Sequence, residues 1–287
     1  MLHPKDYPSA EVPVLLAGPT ASGKTALAIA IAAAQGRDVV NADALQAWAD
    51  WRILTARPSP AEEAAVPHHL YGHLGWDEDW SVGHWLRGVA PFLQARPAPV
   101  IVGGTGLAFA ALTEGLAEIP AIPEGIRAEA RAAPAEALLA QLDERTKARI
   151  DTRNPARTRR AWEVLRATGR PLADWQDETP PPLLPPARAA AFRIDAPPQL
   201  LNARIEARFD AMISEGALEE VGANLLRDPS RPAAAAIAAP ELSAHLRGEM
   251  TLAEARDRAV AATRRYAKRQ RTWARARMGG WTPLPLS

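Results

Sequence analysis

Gly18-Pro19-Thr20-Ala21-Ser22-Gly23-Lys24-Thr25 is the stretch on which the fold turns. It fits the pattern G-x-x-x-x-G-K-[ST], and its flanks are the ones that pattern requires. Residues 12–17, Val-Pro-Val-Leu-Leu-Ala, are a short apolar run and read as a buried strand. Residues 25–34 are rich in Ala, Leu and Ile and read as a helix. The glycines let backbone N–H groups turn inward around phosphate oxygens, and the start of the helix adds positive partial charge. Lys24 supplies a mobile cation, and the Thr25 hydroxyl is placed to ligate Mg²⁺. These eight residues are the expected site of a di- or triphosphate. A glycine-rich turn without a ligand is the plainer alternative, and strand, helix, Lys and Thr together weigh against it. Phosphate binding alone names no reaction.

Outward from this loop, residues 37–41, 99–102 and 189–195 read as further strands. Strands alternating with helices imply parallel crossovers, so the fold class is α/β: a P-loop NTPase-like parallel sheet. Asp43 stands two residues beyond Asn41, at the tip of the second strand. The third strand ends in Gly103-Gly104-Thr105-Gly106 and carries no Asp. Asp43 is therefore the main carboxylate at the edge where open α/β sheets bind ligands. It can hold Mg²⁺ through water, act as a general base, or simply cap a helix. Thr105 can likewise be no more than a cap. Residues 120–186 show helical patterns and no strand, and they begin and end in prolines. The expected organisation is a catalytic core over 1–119 and 187–287 with a helical insertion over 120–186. Helices are expected over 199–215, 218–226 and 252–278.

The chain has 287 residues, with 34 basic and 33 acidic side chains and a formal charge of +1. Apolar residues make up 47 % and charged residues 23 %, which excludes disordered and low-complexity classes. Cysteine is absent, so thiol nucleophiles, disulfides and cysteine-ligated metals are excluded. Residues 1–12 lack the apolar run of a signal peptide, and the Ala-rich run near Ile237 is too short to span a bilayer. A cytoplasmic protein without membrane contact is expected, acting as a monomer. The near-zero charge is a cancellation. Residues 145–170 hold nine Lys/Arg against two Asp/Glu, and 256–277 hold nine against one, nets of +7 and +8 that leave −14 for the remainder. One such run is as often a solvated face as a binding surface. Two beside a phosphate site favour a polyanionic partner.

Taken together, these segments resemble the tRNA dimethylallyltransferases (tRNA isopentenyltransferases). Residues 18–25 match that family's version of the P-loop, and Asn41-Ala-Asp43-Ala-Leu-Gln46 resembles its Ser-x-Asp-Ser-x-Gln. Thr55-Ala-Arg57-Pro58, Pro67-His68-His69-Leu70 and Val102-Gly-Gly-Thr105-Gly-Leu107 follow in the family's order. Asn154-Pro-Ala-Arg157-Thr-Arg-Arg160-Ala-Trp-Glu163 and Ala262-Thr-Arg264-Arg-Tyr-Ala-Lys268-Arg269-Gln270-Arg-Thr-Trp273 complete the match, which spans about 12–278. The resemblance implies transfer of a dimethylallyl group from dimethylallyl diphosphate to N6 of adenosine 37 in the tRNA anticodon loop. It implies Mg²⁺ as cofactor, Asp43 as the base and Thr105 beside the reacting amine or the diphosphate bridge. Gly18, Pro19, Thr20, Ala21, Ser22, Gly23, Lys24, Thr25 and Arg208 would hold the diphosphate, with Thr25 on the metal. Asp43, Ala44, Leu45, Gln46, Thr105, Arg127, Arg157 and Arg160 would contact tRNA. The chain departs from the family pattern at Trp48 and Ala108, where tyrosine is usual. It also has Ala236-Ile237-Ala238-Ala239-Pro240-Glu241 in place of Ala-Ile-Gly-Tyr-Lys-Glu.

The chemistry is consistent with those roles. An exocyclic adenine amine is a weak nucleophile, and a carboxylate that takes its proton as the C–N bond forms is worth about 10²–10⁴ in rate. Two plainer readings stand beside it. Arg208 can merely flank the apolar stripe of Leu201, Ile205, Phe209 and Met212, and Arg127 can be solvated. His68, His69 and His73 lack a completing carboxylate, so a metal site there is not expected. A small-molecule P-loop kinase, a transferase acting on free adenine nucleotides and a non-catalytic RNA-binding protein are the rival functions.

Overall fold

The computed structural model describes residues 2–286. Its core is one six-stranded sheet: β1 (Val14–Ala17), β2 (Val39–Asn41), β3 (His68–His69), β4 (Val100–Gly103), β5 (Ala190–Asp195) and β6 (Thr282–Pro285). The order is β3-β2-β4-β1-β5-β6 and every pairing is parallel. β1, β2 and β4 are buried along their whole length, which is why they read as continuous apolar runs without alternation. The sequence did not announce the two edge strands. β3 is two histidines long, and β6 carries Pro283 and Pro285, which a strand tolerates only at an edge.

Helices cover both faces of the sheet. One apolar cluster joins Leu16, Val39, Val100 and Val102 to Ile31, Trp51, Leu201, Ile205 and Phe209. The other joins Leu15, Val40 and Ile101 to Trp85, Phe109 and Leu112. Alternate residues of each strand serve opposite clusters, as the period of a strand requires. The long helix Leu252–Arg277 begins with a capping box, in which Thr251 and Glu254 bond each other's backbone N–H. Trp48 and Ala108 are both buried, so their departures from the family pattern are matters of packing.

Residues 114–182 separate as a second compact unit, and the first comprises Met1–Thr113 and Leu183–Ser287. The boundaries fall a few residues ahead of the expected 120 and 186. At the second of them, Leu184 belongs to the sheet's own apolar cluster. The second unit is helical throughout and holds its own core, with Ile122, Leu138, Leu142, Trp162 and Leu172 packed together.

Ala238 stands at the start of the helix Ala239–Leu246 with φ +75°, where the family pattern has glycine. An L-residue there clashes with its own carbonyl. Ala238→Gly is expected to stabilise the protein by about 1 kcal/mol. Urea denaturation should show it as a higher midpoint with an unchanged slope.

Candidate active site

Sheet order brings three loops together. β2, β4 and β1 are neighbours, and Asn41 and Leu16 flank Val102 in register. The loops that leave their carboxyl ends carry Asp43, Thr105 and residues 18–25. Lys24 begins the helix Lys24–Gln35, is buried, and places its Nζ 3.5 Å from the Pro19 carbonyl. Burial pulls the Lys24 ammonium below the ordinary lysine value; the Asp43 carboxylate opposes this and the Arg208 cation adds to it. Arg208 is depressed in the same way, by burial first, with Asp43 again opposing. The Asp43 carboxylate thus lies within electrostatic reach of two cations, and Arg208 lines the cleft as well as flanking the stripe of its helix.

Asp43 divides its oxygens between two tasks. Its Oδ1 accepts the Leu45 N–H at 3.2 Å and caps the short turn Ala44–Gln46. Its Oδ2 lies over Gly104, where a Cβ would sit 2.9 Å from it. The cap reading and the site reading therefore hold together. The backbone of Asp43 is clamped by Asn41, whose Oδ1 accepts the Asp43 N–H at 2.8 Å and whose Nδ2 donates to the Asp43 carbonyl at 2.9 Å. Thr105 Oγ1 accepts the Ala44 N–H at 2.8 Å, and the Thr105 N–H donates to the Ala42 carbonyl at 3.1 Å. The Tyr266 side chain lines the cleft close to Thr105 and Gln270, and burial raises its pKa far above the ordinary tyrosine value.

A cleft opens beside these groups. Thr20, Asp43 and Arg208 form its polar end, and Leu54, Ile205, Phe209, Met212 and Ile237 form an apolar wall. The wall segment at residues 52–55 is held from two sides. The Glu220 carboxylate accepts the N–H groups of Arg52, Ile53 and Leu54 at 2.6, 2.9 and 2.8 Å. Gln46 Nε2 donates to the carbonyls of Thr55 and Ala56 at 3.0 and 2.6 Å.

The expected site residues are placed as follows. Residues 18–25, Asp43, Thr105 and Arg208 gather in the first unit. Within the loop only Thr20 and Ala21 line the cleft; Ser22 and Gly23 line a smaller cavity with Leu27, Ile194 and Leu284, and the buried Ser22 hydroxyl has no hydrogen-bond partner. Leu45 lines the cleft and Ala44 lies half-buried beside it. Gln46, expected on RNA, is buried and spends its amide donors on the chain's own loop. Glu220, Tyr266 and Gln270 had no expected role, because their partners are remote in sequence; Asn41 had none either, although it clamps Asp43 only two positions on.

Arg127, Arg157 and Arg160 belong to the second unit. Arg160 sits 3.8 Å from Glu163 and feels Arg127 nearby; burial, then Arg127, lower its pKa. Arg157 is exposed and forms no ion pair among the described residues. The basic run 145–170 is largely neutralised by carboxylates outside it. Arg145 pairs with Asp174 and Asp177, Arg149 with Asp177, Arg166 with Glu129 and Arg170 with Glu178. Over 114–182 there are eleven Lys/Arg against twelve Asp/Glu. The long helix Leu252–Arg277 differs. Arg256 and Arg264 pair with Asp210 and Glu206, while Arg258, Arg265, Lys268, Arg269 and Arg275 are exposed.

No helix among the described residues is long and apolar enough to cross a membrane. No three His, Cys, Asp or Glu among them converge on a metal position. His69 instead faces Asp38 at 2.9 Å.

A parallel sheet whose first strand runs through a glycine-rich, Lys-Thr-closed loop into a buried helix start defines a P-loop α/β protein. Comparison with known proteins narrows this. The family model described as IPP transferase matches residues 46–277, and the one described as isopentenyl transferase matches 12–68. A tRNA dimethylallyltransferase of Jannaschia sp. (strain CCS1) is 60 % identical over 280 residues, 96 % of each chain. The crystal structure of the full-length tRNA isopentenylpyrophosphate transferase from Bacillus halodurans is 30 % identical, with a TM-score of 0.67 over 96 % of this chain and 90 % of that one. A eukaryotic dimethylallyltransferase acting on tRNA shares the fold at 21 % identity, with a TM-score of 0.78 over 96 % of this chain and 74 % of that one. The chain belongs to the tRNA dimethylallyltransferase family and is a transferase.

Proposed function

We propose that the protein transfers the dimethylallyl group of dimethylallyl diphosphate to N6 of adenosine 37 in the tRNA anticodon loop, releasing diphosphate. One observation carries the reading: the cleft joins Thr20 and Ala21 of the phosphate loop to the Arg208 cation and the Asp43 carboxylate, and the rest of its lining is largely apolar. An allylic diphosphate has one charged end and one hydrocarbon end, and each finds its match. A kinase acting on a small polar substrate has no use for the wall.

In the transfer, N6 attacks the allylic carbon, the carbon–oxygen bond to diphosphate breaks, and the leaving group takes the electron pair. Asp43 accepts the N6 proton. Lys24 and Arg208 stabilise the charge that builds on the leaving oxygens. The adenine must leave the anticodon stack to reach the cleft, as bases do in other enzymes that modify them. The donor set fits Mg²⁺: the Thr25 hydroxyl, with Asp43 near the same loop, offers oxygen to an ion that keeps several waters and takes substrate phosphate oxygens. Bound there, Mg²⁺ would neutralise diphosphate charge.

The exposed cations of the long helix are the main RNA-facing charge of the first unit. tRNA affinity should fall steeply with salt, and Lys268→Ala should reduce the slope of log K against log[salt] by about 0.7–0.9. Arg145→Ala, which removes an already paired cation, should leave the slope nearly unchanged. Filter binding across a salt series checks both; equal effects would assign the charge wrongly. The reading as a whole is tested by incubating the protein with dimethylallyl diphosphate, Mg²⁺ and unmodified tRNA, followed by nucleoside mass analysis. An adenosine heavier by one isoprene unit is expected. Tight ATP binding with unmodified tRNA would favour the kinase instead.

A further inference from the structure

One side chain of the long helix ties two loops of the site together. Gln270 Oε1 accepts the Thr20 N–H at 2.9 Å, and Gln270 Nε2 donates to the Gly104 carbonyl at 3.1 Å. A backbone donor at one end and a backbone acceptor at the other fix which way the amide points. Thr20 belongs to the loop after β1, and Gly104 to the loop after β4. The approach depends on Gly104: a Cβ there would fall 2.1 Å from Gln270 Nε2 and 2.9 Å from Asp43 Oδ2. The amide and the carboxylate thus sit over the same glycine. The neighbours on that face of the helix reinforce the contact. Tyr266, one turn earlier, lies close to Gln270 and Thr105, and Trp273 occupies the space a side chain at Gly106 would need.

We infer that Gln270 is a positioning residue of the transfer reaction, fixing the diphosphate loop relative to the Asp43–Gly104–Thr105 side of the cleft. The inference rests on the function proposed above. Leaving-group departure is governed by the loop after β1, and proton acceptance by Asp43, which the loop after β2 holds over Gly104, so the separation of the two sides sets whether C–O cleavage and N–H transfer are served in one geometry. A misplacement of about 1 Å costs on the order of 10²-fold in rate. The chemistry also explains why an amide stands here. Glutamate keeps the acceptor for Thr20, loses the donor for Gly104, and adds negative charge beside Asp43 and the diphosphate. Asparagine is one methylene too short to span both loops.

The test compares the parent with Gln270→Met and Gln270→Glu in steady-state transfer to unmodified tRNA, with thermal unfolding recorded for each. Methionine keeps the length and packing and removes both hydrogen bonds. Its kcat is expected to fall about 10- to 100-fold, while the KM for tRNA stays within about threefold and the unfolding temperature falls by no more than about 5 °C. Gln270→Glu is expected to lose at least as much. A methionine variant with the parent's kcat overturns the inference. So does a loss shared in proportion by kcat, tRNA affinity and unfolding temperature, which marks a purely structural role. A parent that leaves tRNA unmodified brings down the functional reading itself, whereas an active parent matched by the methionine variant brings down this inference alone.

Discussion

Asp43→Asn lowers kcat by about 10²–10⁴, the range a positioned base contributes, while tRNA affinity stays within a few-fold of the parent. Asparagine is the informative choice because the two carboxylate oxygens have separate partners. The amide oxygen can still accept the Leu45 N–H, so the cap on Ala44–Gln46 survives. The Asn41 clamp acts on the backbone of residue 43 and is untouched. What the substitution removes is the proton acceptor over Gly104 and the negative charge within electrostatic reach of Lys24 and Arg208. Single-turnover transfer with saturating tRNA separates the chemical step from binding. Unchanged turnover would remove Asp43 as the base and leave it a cap.

Lys24→Met has the second large effect, and it falls on the other substrate. The side chain is buried at a helix start, and its ammonium is held below the usual lysine range by desolvation. A diphosphate entering the loop supplies the negative charge that burial withholds, so the cation interacts with the leaving group in a poorly solvated setting, where charge stabilisation is strongest. Removing it should lower kcat/KM for dimethylallyl diphosphate by about 10²–10³. tRNA affinity, measured without the diphosphate, should be near the parent value. Parallel losses for both substrates would point to a collapsed loop.

The parts of this molecule that the sequence made legible are those whose signal is contiguous. Residues 18–25 carry strand, turn, cation and helix in one stretch, and β1, β2, β4 and β5 are apolar runs bounded by turns. Edge strands lack that signal. His68–His69 is too short for any period, and the prolines of Thr282–Pro285 argue against a strand on local grounds. The helices Pro60–Ala65, Val82–Val89 and Ala239–Leu246 were equally unmarked.

Within the site, the residues that hold other residues in place were hidden. Gln270 and Thr20 lie 250 positions apart, and Glu220 grips a segment 166 to 168 positions away. No local pattern carries such partnerships. Gln46 and Ser22 were legible as members of motifs, but the direction of their side chains depends on the fold around them. At Ala238, by contrast, the family pattern itself was informative. It has glycine at the position where this chain places alanine in a left-handed conformation.

The ion pairs of residues 114–182 have a thermodynamic consequence for RNA recognition. Arg145, Arg149 and Arg170 are held by Asp174, Asp177 and Glu178 in the free protein. A long side chain of this kind gives up as much as about 2 kcal/mol of rotamer freedom when it is ordered. Where carboxylates have already chosen the rotamer, that loss is incurred on folding and does not recur on binding. A phosphate reaching such a guanidinium would have to share it with its carboxylate or displace that partner, so the gain is an exchange of partners with little net release of counterions. Any contact of RNA with these three arginines should therefore depend less on ionic strength than contact with the long helix, and more on shape. Calorimetry across a salt series on the intact protein would separate the two contributions by their different entropies.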